Sequence, residues 1–191
     1  EITYGDWSSD VCSSDLWSTT FFQDVLIEGT ETLNITLTGE DNGEDGSWDT
    51  VVFGEDNNTF EADDLLTDIN LSGDVNYVST IEASALSTID GGGMTGDVFL
   101  QLKDVEDDGI TVTTGSGNDY IAGEDSDATY DISTGDGADL VLITQGFNPF
   151  GGDDVVTTGD GEDVIFAGEG NDDIFAGDDA DTALFLAYDT N

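Results

Sequence analysis

Three segments near the end of the chain decide its architecture: Thr158-Gly-Asp-Gly-Glu-Asp-Val-Ile-Phe166, Ala167-Gly-Glu-Gly-Asn-Asp-Asp-Ile-Phe175 and Ala176-Gly-Asp-Asp-Ala-Asp-Thr-Ala-Leu184. They follow one another at a strict nine-residue period. Thr114-Gly-Ser-Gly-Asn-Asp-Tyr-Ile-Ala122 and Thr134-Gly-Asp-Gly-Ala-Asp-Leu-Val-Leu142 have the same form, and Ala122-Gly-Glu-Asp-Ser-Asp-Ala-Thr-Tyr130 is a degenerate copy. Self-similarity at a fixed short period is the signature of a stacked repeat architecture.

Each place in the nonad has a physical reason. Glycine at the second and fourth places lets the backbone take angles closed to other residues, so a loop can curl its carbonyls toward one point. Asp at the sixth place adds a hard anionic oxygen beside them. The apolar eighth place (Ile121, Val141, Ile165 and Ile174) belongs to a two- to three-residue strand and points inward. Several carbonyls with one carboxylate suit Ca²⁺, which takes six to eight oxygens; Mg²⁺ demands a tight octahedron and keeps its waters. The Asp residues at the sixth place are Asp119, Asp127, Asp139, Asp163, Asp172 and Asp181. The accompanying loop glycines are Gly115, Gly117, Gly135, Gly137, Gly159, Gly161, Gly168, Gly170 and Gly177.

These nonads resemble the RTX (hemolysin-type) calcium-binding repeat, G-G-x-G-x-D-x-U-x. The resemblance implies a parallel β-roll in which two nonads make one turn and several calcium ions lie between loops two nonads apart. Carried over, it places Asp163 and Asp181 on one edge of the roll. Asp172 then lies on the opposite edge and needs a partner before residue 158 or beyond 184. This chain departs from the pattern in three ways. The first glycine is Thr or Ala in every copy, Asp125 and Asp179 stand where a fourth-place glycine is expected, and residues 143–157 interrupt the array.

Outward from the repeat, composition narrows the function. The 191 residues hold 45 acidic side chains and one basic one, Lys103, for a formal net charge of −44. So little positive charge excludes nucleic acid and anionic membrane surfaces as partners. The absence of His removes the usual catalytic triads and most zinc sites, no apolar run is long enough to insert in a bilayer, and a non-enzymatic role is expected. The acids are spread evenly, with 18 of the 45 in residues 114–185, whereas 13 of the 25 glycines fall there. Spacing, and not acidity, therefore carries the site argument.

The predicted fold is all-β: a parallel β-roll or β-solenoid over 114–185, preceded by a β region of short strands. Strand candidates in 48–113 are Thr50–Phe53, Ile69–Leu71, Val75–Ile81, Val98–Leu102 and Ile110–Thr113, which read as rungs continuous with the roll. Glu61–Leu66 is the one short helical candidate. Within 17–47, Val25 to Leu37 resembles one hairpin of a Calx-β sandwich domain, turning at Glu28-Gly29-Thr30, with an acidic linker from Glu40 to Gly46. Residues 8–16 resemble a translated sequencing adapter, which would make residues 1–16, including the sole cysteine Cys12, an artefact or disordered. Glu1 is no initiating residue and 186–191 read as a truncated end, so the sequence reads as a fragment. Asp104-x-Glu106-x-Asp108-Gly109 begins like an EF-hand loop but has Gly115 at its twelfth place.

The expectation for function is a calcium-binding module that folds on extracellular Ca²⁺ and serves as scaffold in a secreted or cell-surface protein of adhesin or surface-layer type. Export by type I secretion is implied by the family resemblance. The alternative is the secretion and folding tail of an exoenzyme. Calcium ions are the expected partners, with self-association or a surface ligand left open.

Overall fold

The computed structural model describes residues 31–37, 65–103, 109–124, 128–143, 152–168 and 170–184, and in addition the backbone of short strands at 10–13, 19–22, 26–27, 50–53 and 59–62. All regular structure in these residues is β, and every strand pairing is parallel. Among the described residues no helix is long and apolar enough to cross a membrane.

The chain winds alternately through two sheets. One has eight strands, in the order Asp10–Ser13, Thr32–Leu37, Asp68–Gly73, Thr88–Met94, Ile110–Thr113, Tyr130–Ser133, Val155–Thr157 and Asp173–Phe175. The other has ten, with a main path Thr182–Leu184, Val164–Phe166, Leu140–Ile143, Tyr120–Gly123, Val98–Lys103, Asn76–Glu82, Thr50–Phe53 and Thr19–Phe22. Leu26–Ile27 and Thr59–Ala62 pair beside that path. Consecutive strands lie in opposite sheets over most of the described chain, which makes the fold a β-solenoid and places the repeats in a β-roll.

Period-two alternation fills the space between the sheets. On one side Ile69, Ile89, Val112, Ile132 and Val156 stack in register, each at most 1% exposed. On the other, Leu100, Ile121, Val141 and Ile165 form a fully buried column. The eighth-place residues thus lie inside, as their branching and spacing predict. Like residues also stack outside: Asn70 donates to Asn34 at 2.7 Å, Thr36 and Ser72 hydroxyls meet at 3.1 Å, and the Phe99 and Tyr120 rings stack nearly parallel with centroids 4.3 Å apart.

The core thins toward the last turn. Residues 66–102 supply Leu66, Leu71, Tyr77, Leu86, Met94, Leu100 and Leu102, all buried. In the last turn Ile174 is only half-buried, and Thr182–Leu184 is exposed throughout. Since apolar burial supplies roughly 25 cal/mol per Å², the final rungs receive much less of it than the first.

Two readings are corrected. The hairpin resembling a Calx-β domain does not form: Leu26–Ile27 pairs in parallel with Glu61–Ala62 in one sheet, and Thr32–Leu37 pairs in parallel with Asp68–Gly73 in the other. Glu61 lies in the strand Thr59–Ala62, beside Thr80–Glu82, and starts no helix. Thr88–Met94 is a strand despite Gly91, Gly92 and Gly93, because the glycines meet a register shift opposite Asn70/Ser72 where a bulge tolerates them. The adapter-like stretch supplies a strand, Asp10–Ser13, beside Thr32–Leu37. Asp104–Asp108, the start of the EF-hand-like motif, lies outside the described residues.

Candidate calcium sites on the loop edges

Turn length along one edge varies, and the loops stay in register regardless. Successive sixth-place positions Val98, Asp119, Asp139, Asp163 and Asp181 are 21, 20, 24 and 18 residues apart. The 24-residue turn contains the interruption predicted at 143–157, and the strands on either side pair without a break. The interruption therefore does not stop the solenoid.

Each sixth-place carboxylate is fixed by the backbone of the turn before it. Asp119 Oδ1 accepts the Val98 N–H at 2.8 Å, Asp139 Oδ1 the Asp119 N–H at 2.8 Å, Asp163 Oδ1 the Asp139 N–H at 2.9 Å, and Asp181 Oδ1 the Asp163 N–H at 3.2 Å. The backbone carbonyls of Asp119, Asp139 and Asp163 accept N–H groups of the following turn at 2.8–2.9 Å. Asp163 and Asp181, 18 residues apart, thus stack on one edge as the repeat predicts.

The opposite edge repeats the arrangement. Asp154 Oδ1 accepts the Tyr130 N–H at 2.8 Å, and Asp172 Oδ1 accepts the Asp154 N–H at 3.1 Å. Asp154 is the partner that Asp172 requires before residue 158. Sequence reasoning passed over this nonad, 149–157, because Pro149-Phe150-Gly151 occupies its opening places. Counting nine residues back from Thr158 brings Gly152, Asp154 and Val156 to the fourth, sixth and eighth places and would have found it. Asp127 lies outside the described residues.

A second ladder runs the other way from the fifth place. Asn76 Oδ1 accepts the Asp97 N–H at 2.8 Å, Asp97 Oδ1 the Asn118 N–H at 2.7 Å, and Asn118 Oδ1 the Ala138 N–H at 3.0 Å. Ala138 has no side-chain acceptor and ends it. Asp153 does the same for Asn171 on the other edge, at 2.9 Å.

The glycines are required by close approach. A Cβ on Gly135 would lie 2.0 Å from the Gly115 carbonyl oxygen, and one on Gly159 2.0 Å from that of Gly135. At the fourth place, a Cβ on Gly137 would meet the Gly117 oxygen at 1.9 Å, and one on Gly161 the Gly137 oxygen at 1.7 Å. The carbonyls of successive loops are therefore stacked in two files, with no room for a side chain between them. Gly168 and Gly177, at φ +88° and +83°, hold the second place in the last two nonads, and Gly170 holds the fourth at +149°. Asp179, at φ +94°, adopts a conformation Asp tolerates better than most residues, which explains its presence where glycine is expected.

Electrostatics mark the carboxylates as unfinished. Asp119, Asp139 and Asp163 are at most 2% exposed, and the Oδ2 of each is buried with no well-formed hydrogen bond, although the hydroxyls of Thr114 and Thr134 lie close enough to Asp119 and Asp139 to lower their carboxyls somewhat. Burial, with the charges of Asp139 and Asp97 adding to it, pushes the Asp119 carboxyl up to about 6. Burial likewise pushes Asp154 up to about 7, with Asp172 and Asp153 adding to it. Asp139 and Asp172 are raised for the same first reason. A buried anionic oxygen without a partner costs on the order of 1–3 kcal/mol or more, and a hard divalent cation removes that penalty. Among the described residues no three acidic side chains converge on one point; the loops of Asp119, Asp139, Asp154 and Asp163 each offer one buried carboxylate, and those of Asp172 and Asp181 a half-buried one. That all-oxygen donor set suits calcium.

The family model of the RTX calcium-binding nonapeptide repeat matches residues 111–127 and 150–183, in four copies. The second span includes the nonad of Asp154. No curated protein and no solved structure shows a significant match to the chain. The matched residues 111–127 and 150–183 thus support a calcium-binding repeat module within the β-roll, and such repeats imply calcium ions as partners.

Proposed function

We propose that this chain, whose β-roll matches the RTX calcium-binding repeat over residues 111–127 and 150–183, is a calcium-switched structural scaffold: loose where calcium is scarce, and rigid in the extracellular medium. The observation that carries the reading is the row of Oδ2 atoms on Asp119, Asp139 and Asp163, buried without a well-formed hydrogen bond in loops whose carbonyls stack in files. Without cations these charges repel and the thin last rungs cannot offset chain entropy. With calcium bound, binding free energy becomes folding free energy. Sites of extracellular type, with Kd on the order of 10⁻⁴–10⁻³ M, are empty in a cytosol and filled outside it. The residues hold the ion and join successive turns; no catalytic step is assigned to them.

The scaffold reading is preferred to an exoenzyme's secretion tail because the same parallel rungs continue upstream of the matched repeats, from Thr32–Leu37 onward. A secreted or cell-surface location, reached by type I export, follows from this reading. Limited proteolysis tests it. In millimolar calcium the loops of residues 114–184 should resist cleavage, and at submicromolar calcium they should be cut within the repeats. Equal cleavage in both conditions would remove the switch.

A further inference from the structure

The loop Met94-Thr95-Gly96-Asp97-Val98 lies before the first nonad and outside the matched repeats, with Met94 at the second place and Val98 at the sixth. Its backbone nevertheless stacks like a repeat loop. A Cβ on Gly115 would lie 1.7 Å from the Met94 carbonyl oxygen, and one on Gly117 2.5 Å from that of Gly96. The same two files continue one turn downstream through Gly135 and Gly137. The Met94 oxygen also accepts the Ser116 N–H at 3.2 Å, which leaves it a second lone pair.

The carboxylates on this edge all reach back. Asp119 Oδ1 is held by the Val98 N–H of this loop, and its Oδ2 is buried with no well-formed hydrogen bond, the Thr114 hydroxyl being the side-chain donor beside it, in a residue 2% exposed. Asp97 brings a second carboxylate, fixed through Oδ1 on the Asn118 N–H at 2.7 Å. The gap between 94–98 and 114–119 therefore has what the two gaps below it have: two files of carbonyls and a buried carboxylate supplied by the later turn. We propose that Asp119, with the Met94 and Gly96 carbonyls, forms a calcium site between this loop and the first nonad, so that the cation series begins one turn before the repeats do. Val98 at the sixth place is no obstacle, because each gap takes its carboxylate from the turn that follows. This edge then holds one ion for each of Asp119, Asp139, Asp163 and Asp181, not one for each pair of adjacent repeat loops.

The proposal rests on the calcium reading of the repeats, and Asp163→Asn separates the two. Equilibrium dialysis of the full chain with radioactive calcium counts ions, and nitrogen-15 amide spectra locate them. Asp119→Asn keeps an acceptor for the Val98 N–H, and it should bind one ion fewer than the parent chain. In saturating calcium its Thr95, Gly96 and Asp97 amides should shift, while those of Gly159 and Gly161 stay in place. Gly117→Ala, which retains Asp119 but displaces the Gly96 carbonyl, should show the same loss and supplies the answer if Asp119→Asn does not fold. Unchanged stoichiometry in the variant that folds, or a lost ion without movement at Gly96, overturns this site. If Asp163→Asn loses no ion either, the calcium reading of the repeats fails with it.

Discussion

Replacing Gly135 by Ala strikes the carbonyl files without touching an acid. The backbone there has φ +82°, and the new Cβ would lie 2.0 Å from the Gly115 carbonyl oxygen. Since Cβ atoms do not approach closer than 3.0 Å, that carbonyl must retreat by at least 3.0 − 2.0 = 1.0 Å. A left-handed L-residue alone costs about 1–2 kcal/mol. Losing one site of Kd on the order of 10⁻⁴ M in about 10 mM calcium removes about 2.7 kcal/mol more. Gly135→Ala should thus lose about 4 kcal/mol in calcium but only about 1–2 kcal/mol in EGTA. At about 2–4 °C per kcal/mol for a chain of this size, Tm in calcium should fall by about 10 °C. Gly92→Ala is the control: its Cβ would meet only the Asp90 side chain at 3.3 Å and the Thr113 methyl at 3.5 Å. It should stay within about 0.5 kcal/mol. Thermal melts of the three chains with and without calcium decide the matter. If Gly135→Ala keeps the full calcium-dependent rise in Tm, the carbonyl files do not hold the ion.

Three further outcomes are expected. Asp163→Asn combined with Asp172→Asn should abolish most of the calcium-dependent Tm gain, whereas Asp131→Asn with Asp90→Asn, both exposed, should leave it intact. In calcium-free buffer, stability should fall as pH rises from about 4 toward 7: the folded Asp119 and Asp154 carboxyls, lifted to about 6 and about 7, keep protons that the unfolded chain has released above about 3.9. Urea melts at pH 5 and pH 7.5 in EGTA measure this, and greater stability at the higher pH would contradict the burial of these groups. Hydrogen exchange in EGTA should proceed fastest in 164–184 and slowest in 69–102, following the thinning core, and uniform exchange would show that core burial does not set the stability of the rungs.

Much of this was legible because the nonad is local. Gly, Asp and branched residues at fixed places identified the loop edges, the inward column of Ile121, Val141 and Ile165, and the 18-residue stacking of Asp163 on Asp181. What escaped the sequence depends on neighbours in space. Thr32-Leu-Asn-Ile-Thr-Leu37 alternates with period two, which a parallel rung and an antiparallel hairpin satisfy equally, so pairing partners could not be read from it. The nonad of Asp154 was hidden because Phe150 stands at its second place and the interruption broke the visible period. The fifth-place ladder was missed because Asn76, Asp97 and Asn118 share a role only when turns of about twenty residues are stacked. The charge of −44 showed too many acids to choose among; burial and an oxygen without a well-formed hydrogen bond single out a few.

The most direct test of calcium-coupled folding is a far-ultraviolet circular dichroism melt of the intact chain in EGTA, in millimolar magnesium and in millimolar calcium. The account predicts weak β signal and a low, broad transition in the first two, and a strong β signal with a sharply higher Tm in calcium alone. An identical spectrum and Tm in all three conditions, or an equal gain from magnesium, would contradict it.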